Sequence, residues 1–289
     1  MRYPFIRQQS KAYPITVLCR VMRVCRSCFY EYLKRCKTSK RDLQQEELES
    51  RIEAIFFASG RTYGSRRISR DLQNEGRQIG RYRSRSLMKK LGLTVKRKKK
   101  YIVTTDSNHS YRVAPNLLNR NFDVDQPNLV WSSDITYIRT VEGWLYLAIV
   151  MDLYSRQIVG WNMDKKPKAT LVCEALNMAV KRRSPGAEVM HHSDRGIQYA
   201  CDQYQELLEK YQFRVSMSRK GDCWDNAPVE RFFRSLKSER LSFYRFASRQ
   251  SARLEALQYN TNYNTYRIHS YLGYLSAMNF ERNAMLAVA

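Results

Sequence analysis

Residues 189–233 read VMHHSDRGIQYACDQYQELLEKYQFRVSMSRKGDCWDNAPVERFF, and their pattern decides the fold. Residues 188–192 predict a short strand that ends at Asp194. Residues 202–212 carry Tyr204, Leu207, Leu208 and Tyr211 at helical spacing, and residues 214–218 predict a second strand. Strand, helix and strand over this length form a crossover between parallel strands. The next stretch predicts a helix, with Asn226 as its cap and Pro228 in its first turn. Val229, Phe232, Phe233 and Leu236 then fall on one buried face, with Glu230, Arg234 and Lys237 on an adjacent one.

Upstream, VWSSDITYI alternates, with Asp134 among Val130, Ser132, Thr136 and Ile138 on one face. WLYLAIVMDLYS and QIVGWNMD follow as strands behind short turns at Glu142-Gly143 and Ser155-Arg156, and residues 169–182 read as a helix. An antiparallel meander followed by parallel units predicts an α/β domain, a mixed five-stranded sheet with flanking helices.

The front of the chain is all-α. Residues 15–33 read as two short helices broken near residues 24–27, and residues 41–58 as a helix with Leu43, Leu48, Ile52, Ile55 and Phe56 on one stripe. Ser65 is the expected cap of a helix to about Asn74. Gly76 ends that helix, and a second runs from about Arg81 to Leu91. Two helices with a short glycine-containing connection form a helix-turn-helix, whose second helix commonly enters the major groove. The expected divisions are an N-terminal helical region at 1–60, a helix-turn-helix domain at 61–100, a linker at 101–126, a catalytic core at 127–242 and a C-terminal helical extension at 243–289.

Charge points to the partner. The net charge is +24, and residues 1–100 hold 27 Lys and Arg against 8 Asp and Glu, which places +19 of it in the first third. Such an excess favours nucleic acid over a membrane. Candidate DNA contacts are Arg66 and Arg67, then Arg81, Arg83, Arg85, Lys89 and Lys90 on the second helix, then Lys96, Arg97 and Lys98 in the run after it. Arg195, Lys220, Arg234 and Lys237 are candidates in the core. The longest apolar run, residues 144–151, is too short to span a bilayer, and the N-terminus has no signal-peptide core, so a cytoplasmic protein is expected. Seven scattered cysteines form no disulfide framework. Cys19, Cys25, Cys28 and Cys36 read as buried apolar cysteines rather than a zinc site.

Asp134, Asp194 and Glu230 are the candidate catalytic and metal-ligating residues. Phosphodiester chemistry develops charge on attacking and leaving oxygens, which two Mg²⁺ ions about 3.5–4 Å apart stabilise. Magnesium takes oxygen ligands and keeps waters and substrate phosphates, so few carboxylates suffice. Asp134 would be shared, with Asp194 completing one site and Glu230 the other. Without metal the three acids repel, and at least one pKa is expected to rise. Asp152, at a strand end, reads as structural, and His191 and His192 as supports.

These blocks, with YGSRRI, VAPNLLNRNF, LKSE and YNTYRIHSYLGYLS, cover most of residues 63–280. They closely resemble the integrase-like (DDE) transposases of bacterial insertion sequences, the second-frame product of the copy-out, paste-in family, within the retroviral integrase superfamily. The resemblance implies a ribonuclease-H-like core with Asp134, Asp194 and Glu230 as its acids, using Mg²⁺ (or Mn²⁺). It also implies hydrolytic nicking at element ends, then strand transfer by the freed 3′ hydroxyl. Double-stranded DNA is the expected partner, with a homo-oligomer on DNA and an upstream-frame helix-turn-helix/coiled-coil product. The alternative is a DNA-binding regulator or incomplete subunit that needs that product for catalysis. Ala277 departs from the proline usual after LGYLS, which bears on the shape of the C-terminal tail.

Overall fold

The computed structural model describes residues 2–95, 111, 113–186 and 188–288; the side chains of 37–42, 223 and 288 are not described. It forms two compact units, Met1–Val95 and Lys96–Ala289.

The first unit is helical: α1 (Arg2–Gln9), α2 (Ile15–Val21), α3 (Arg26–Ala58), α4 (Ser65–Asn74) and α5 (Arg81–Lys90). The sequence pattern predicts two helices between residues 26 and 58, but α3 runs through as one of 33 residues. The polar stretch between its apolar ends contains no Pro or Gly to break it. Ile6, Leu18, Cys19 and Phe29 form one small core, with the Tyr3 and Tyr32 rings stacked 5.3 Å apart. Ile52, Ile55 and Phe56 on α3 are buried, as are Ile68 and Leu72 on α4 and Leu87 and Met88 on α5. Cys19 is buried as expected, whereas Cys25 and Cys28 are exposed, because they sit at the start of α3 on its outward face. Gly64, not Ser65, is the residue that precedes α4, and no side chain caps that end.

The second unit holds the sheet: β1 (Val130–Thr140), β2 (Gly143–Asp152), β3 (Ile158–Asp164), β4 (Met190–Ser193) and β5 (Arg214–Met217), in the order β3-β2-β1-β4-β5. The β1–β2 and β2–β3 pairs are antiparallel, while β4 joins β1 and β5 joins β4 in parallel. Helices α6 (Ala169–Arg183), α7 (Ile197–Ala200) and α8 (Asp202–Lys210) precede β5, and a 3-10 turn (Cys223–Asn226) leads into α9 (Ala227–Glu239). Helices α10 (Arg249–Thr265) and α11 (Ala277–Val288) complete the unit. This is the expected mixed five-stranded, ribonuclease-H-like sheet with flanking helices.

Strand alternation divides the core in two. Leu145, Leu147, Ile149 and Met151 of β2 pack with Ile138, with Val229, Phe232, Phe233 and Leu236 of α9 and with Tyr259 of α10. Trp131, Ala148 and Val150 pack on the other face with Leu171, Leu176, Tyr204 and Leu208. Residues before β1 also join this unit, because Leu118 is buried in the α9-side core. Ala277 is fully buried at the first position of α11, where a proline would also fit, so the helix forms despite the substitution.

Helix α6 approaches β3 closely at Gly160. A Cβ there would lie 2.2 Å from the Ala175 carbonyl oxygen and 2.7 Å from Ala179 Cβ. Backbone cannot move aside as a flexible side chain would, so Gly160→Ala should destabilise by at least about 1–3 kcal/mol. Urea denaturation checks this; a change within about 0.5 kcal/mol would mean that α6 is not seated against β3.

Candidate active site

The parallel pairing of β1 with β4 is Val130 to Met190, Trp131 to His191 and Ser132 to His192, a constant offset of 60. Continued by two residues, that register sets Asp194 level with Asp134. Level residues on neighbouring parallel strands point to one face and lie about 4.8 Å apart in backbone. Asp134 shares its face with Ser132 and Ile138, the side covered by α9. On α9, four apolar side chains at i, i+3, i+4 and i+7 turn inward, and Glu230 stands beside them, half-buried.

Local hydrogen bonds fix both aspartates. Asp134 Oδ1 accepts from the Ile135 N–H at 2.7 Å, and Asp194 Oδ1 accepts from the Gly196 N–H at 2.9 Å. A Cβ at residue 196 would lie 3.0 Å from Asp194 Oδ1, so a larger residue there would have to push that carboxylate aside by a few tenths of an ångström. Burial raises the Asp134 pKa well above the usual carboxylate range, with repulsion from Asp194 and Glu230 adding to it; the Ile135 N–H and Lys237 oppose the rise. Burial also raises Glu230, against the pull of Arg234. Lys237 is shifted down by burial and supported by Asp134, and its Nζ lies 4.7 Å from the Tyr137 ring centre.

The acids share a face without closing on a point. Among the described residues, no three His, Cys, Asp or Glu side chains are gathered around one metal-sized position. A divalent cation would offset the repulsion that helps raise the Asp134 pKa. The donor set suits such an ion, being all carboxylate oxygen with one member reluctant to ionise alone.

Neutral imidazoles support this face. His191 Nε2 lies 2.8 Å from Ser133 Oγ and 3.0 Å from the Tyr204 hydroxyl, and burial lowers its pKa to about 3. His192 sits between Ser216 and Ser218 at 2.9 and 3.1 Å, with its pKa lowered to about 4. Neither ring is charged near neutrality. Asp152 is buried away from the acids, accepting from the Asn128 and Tyr154 N–H groups and paired with Arg183, which also holds Glu281.

Asn226 occupies the N-cap position of α9 as expected, but its side chain makes no capping hydrogen bond. Its Oδ1 accepts from Ser132 Oγ at 2.6 Å and its Nδ2 donates to the Ser133 carbonyl at 3.0 Å, which ties the start of α9 to the residues before Asp134. Sequence reading misses Asp225 altogether. Its fully buried carboxylate accepts from Asn116 Nδ2 (2.8 Å), Arg120 Nε (2.8 Å), and the backbone N–H, Nε and Nη2 of Arg219 (2.9, 2.9 and 2.7 Å). Its partners are more than 100 positions away or in an irregular loop, so no local periodicity marks it.

The candidate DNA contacts differ in their freedom. Arg66, Arg81, Arg83, Arg85 and Lys89 are exposed on the first unit, whereas Arg67 lies over the Tyr63 ring at 5.2 Å and Lys90 pairs with Glu49 at 2.7 Å. Lys96, Arg97 and Lys98 lie outside the described residues. In the core, Lys220 and Arg234 are exposed, Lys237 is half-buried, and Arg195 Nε donates to the Ser218 carbonyl at 2.6 Å.

Family models for an integrase core domain match residues 124–223 and 211–276, and one for an HTH-like domain matches residues 43–101. The chain is 42% identical over 264 residues to the insertion element IS600 uncharacterized 31 kDa protein of Shigella sonnei, covering 91% of this chain and 97% of that protein. It is 39% identical over 283 residues to the transposase InsF for insertion sequence IS3A of Escherichia coli (strain K12), covering 97% and 98%. The chain belongs to the IS3-family InsF transposases. Among solved structures, the BIV integrase catalytic core domain aligns at 15% identity and TM-score 0.43, covering 56% of this chain and 99% of that one. Membership makes the protein a transposase with an integrase core, a DNA-binding polynucleotidyl transferase. No helix among the described residues is long and apolar enough to cross a membrane.

The Asp225 cluster predicts how this InsF-type core responds to acid. Arg219 and Arg120 hold the Asp225 carboxyl well below the usual carboxylate range. A depressed carboxyl stabilises the fold above its unfolded pKa, about 3.9, and loses that contribution as pH falls toward the folded value. Asp225→Asn should therefore cost about 3 kcal/mol at pH 7 and progressively less below about pH 4. Denaturation across pH checks this; a deficit independent of pH would remove the ion pairs as its cause.

Proposed function

We propose that this transposase nicks DNA hydrolytically at the ends of its insertion sequence and then joins each freed 3′ hydroxyl to another phosphodiester. The observation that carries the reading is the common face of Asp134, level with Asp194, and Glu230 on α9, with Asp134 disfavoured as an ion by its neighbours. Asp134, Asp194 and Glu230 would hold two Mg²⁺ ions, with Mn²⁺ able to substitute, and Asp134 shared between them. When bound, such ions supply Lewis-acid stabilisation of charge on the attacking and leaving oxygens.

The chain's own groups then orient the substrate. Lys237, beside Asp134, and exposed Arg234 lie two turns and one turn along α9 from Glu230, where backbone phosphates would run. His191 and His192 hold the strands through their contacts with buried hydroxyls. Helices α4 and α5, within a helix-turn-helix domain at 61–100, engage duplex DNA through Arg66, Arg81, Arg83, Arg85 and Lys89. Residues 127–242 form the catalytic core, flanked by the 1–60 region, the 101–126 segment and the 243–289 extension. The protein works as a homo-oligomer on DNA with an upstream-frame helix-turn-helix/coiled-coil product, in the cytoplasm where that DNA lies.

Two measurements test this. With a labelled element-end duplex, Mg²⁺ and the upstream-frame product, Asp134→Asn, Asp194→Asn and Glu230→Gln should each cut joining by about a thousandfold or more, the scale of losing electrostatic stabilisation of the transition state. Wild-type joining by any one of them would break the triad, and binding without joining by the wild type would favour a regulator. Replacing Arg81, Arg83 and Arg85 by alanine should lower the slope of log K against log salt by about 0.9 for each phosphate that is no longer neutralised. An unchanged slope would take α5 out of the interface.

A further inference from the structure

The 3-10 turn Cys223–Asn226 is anchored on every side, yet its largest side chain is left in water. Asp225 is fully buried under Arg120, Arg219 and Asn116. Asn226 is buried against Ser132 and Ser133, and Asp222 accepts from the Trp224 N–H at 3.2 Å. Between these fixed points the Trp224 side chain is 68% exposed. A turn held this firmly does not leave an indole outside through looseness. By contrast Trp131 is fully buried, and the partly exposed Trp144 packs edge-on against Tyr137 at 5.1 Å. Among the described residues no aromatic ring or guanidinium stacks on Trp224.

Its place limits what could cover it. Asn226 bonds to the two residues that precede Asp134, and Trp224 is two positions from Asn226. Two residues span at most about 7 Å, so the indole is rooted beside the acid face and one turn ahead of the helix that carries Glu230. Exposed Lys220 lies in the same loop. A flat apolar surface beside a cation and a phosphodiester-processing face matches one chemistry, a nucleobase that has left its stack.

We propose that Trp224 is a stacking platform for an unpaired DNA base next to the phosphodiester that the acids attack. This rests on the reading of Asp134, Asp194 and Glu230 as the site of DNA chemistry. Opening a base pair forfeits base stacking, and an indole face restores part of it. Because every base has a π-face, the platform holds the opened strand without choosing its sequence. The base comes either from the terminal pairs of the element end or from the target duplex. No bond is made or broken at Trp224; it positions the strand.

The experiment uses the full-length protein without added metal, so that no chemistry occurs. One duplex carries 2-aminopurine in a three-nucleotide single-stranded tail, which represents an opened element end; a second carries it in an internal mismatch, which represents a distorted target. Wild type should quench 2-aminopurine emission in one of the two, and the one quenched identifies the source. Trp224→Phe should retain part of the quenching. Trp224→Ala should lose it and bind that probe about fivefold to a hundredfold more weakly. Trp224 is mostly outside the core, so the alanine variant is expected to fold.

Equal quenching by wild type and Trp224→Ala, or none by wild type on either probe, overturns the platform. Glu230→Gln separates the two readings, because it should quench like wild type while failing to join DNA. If Glu230→Gln joins normally while Trp224→Ala loses quenching, the acid assignment falls and the platform stands. If Glu230→Gln fails to join while Trp224→Ala quenches fully, the reverse holds.

Discussion

Three backbone pairings, Val130 with Met190, Trp131 with His191 and Ser132 with His192, set the register on which the site depends. Strand side chains alternate, so a slip of one residue would send Asp194 to the opposite face from Asp134. The register is protected by what lies beneath it. His191 and His192 are buried within the pairing and each reaches hydroxyls on neighbouring elements, Ser133 and Tyr204 for one and Ser216 and Ser218 for the other. A shifted strand would leave those imidazoles buried without partners, a penalty of about 1–3 kcal/mol each.

Glu230 reaches the same face by a different route, through helix packing. Val229, Phe232, Phe233 and Leu236 bury α9 against the sheet, but apolar packing alone tolerates sliding along the helix axis. The two hydrogen bonds from Asn226 to Ser132 and Ser133 supply the missing restraint, since they tie the first turn of α9 to the strand just before Asp134. Asp225 adds a second anchor, through Arg120 and Arg219, to the segment ahead of β1 and to the loop after β5. The three acids are thus held near one another although their charges oppose it. That standing repulsion adds to burial in raising the Asp134 pKa.

What the sequence made legible follows from the range of each interaction. Strand alternation in residues 130–138 and the i, i+3, i+4, i+7 spacing in α9 are local patterns, and both led to the observed faces. The parallel crossover around α8 followed from the lengths of its parts. Asn226 reads as a cap because its type and place suit one, but its side chain finds a tertiary partner instead. Asp225 is invisible for the same reason: its partners Asn116 and Arg120 lie 109 and 105 positions away. Cys25 and Cys28 read as buried because cysteine usually is, but the outward face at the start of α3 leaves them in water. Residue type predicts burial only where the face of the element is already known.

Charge divides the labour between the two parts of the chain. An acidic face repels a DNA backbone, and in the core several basic residues are already committed to ion pairs within the fold. Arg120 and Arg219 serve Asp225, Arg183 serves Asp152 and Glu281, Arg240 serves Glu255, and Arg267 serves Glu239. Those ion pairs order the core without drawing DNA toward it. The first hundred residues carry +19 of the net +24, and on α5 Arg81, Arg83, Arg85 and Lys89 stand exposed. Counterion release at such a surface supplies affinity that is strong and largely indifferent to sequence. Under the proposed function, Lys237 and Arg234 beside Glu230 are the local cations that would steer a strand held by the basic front.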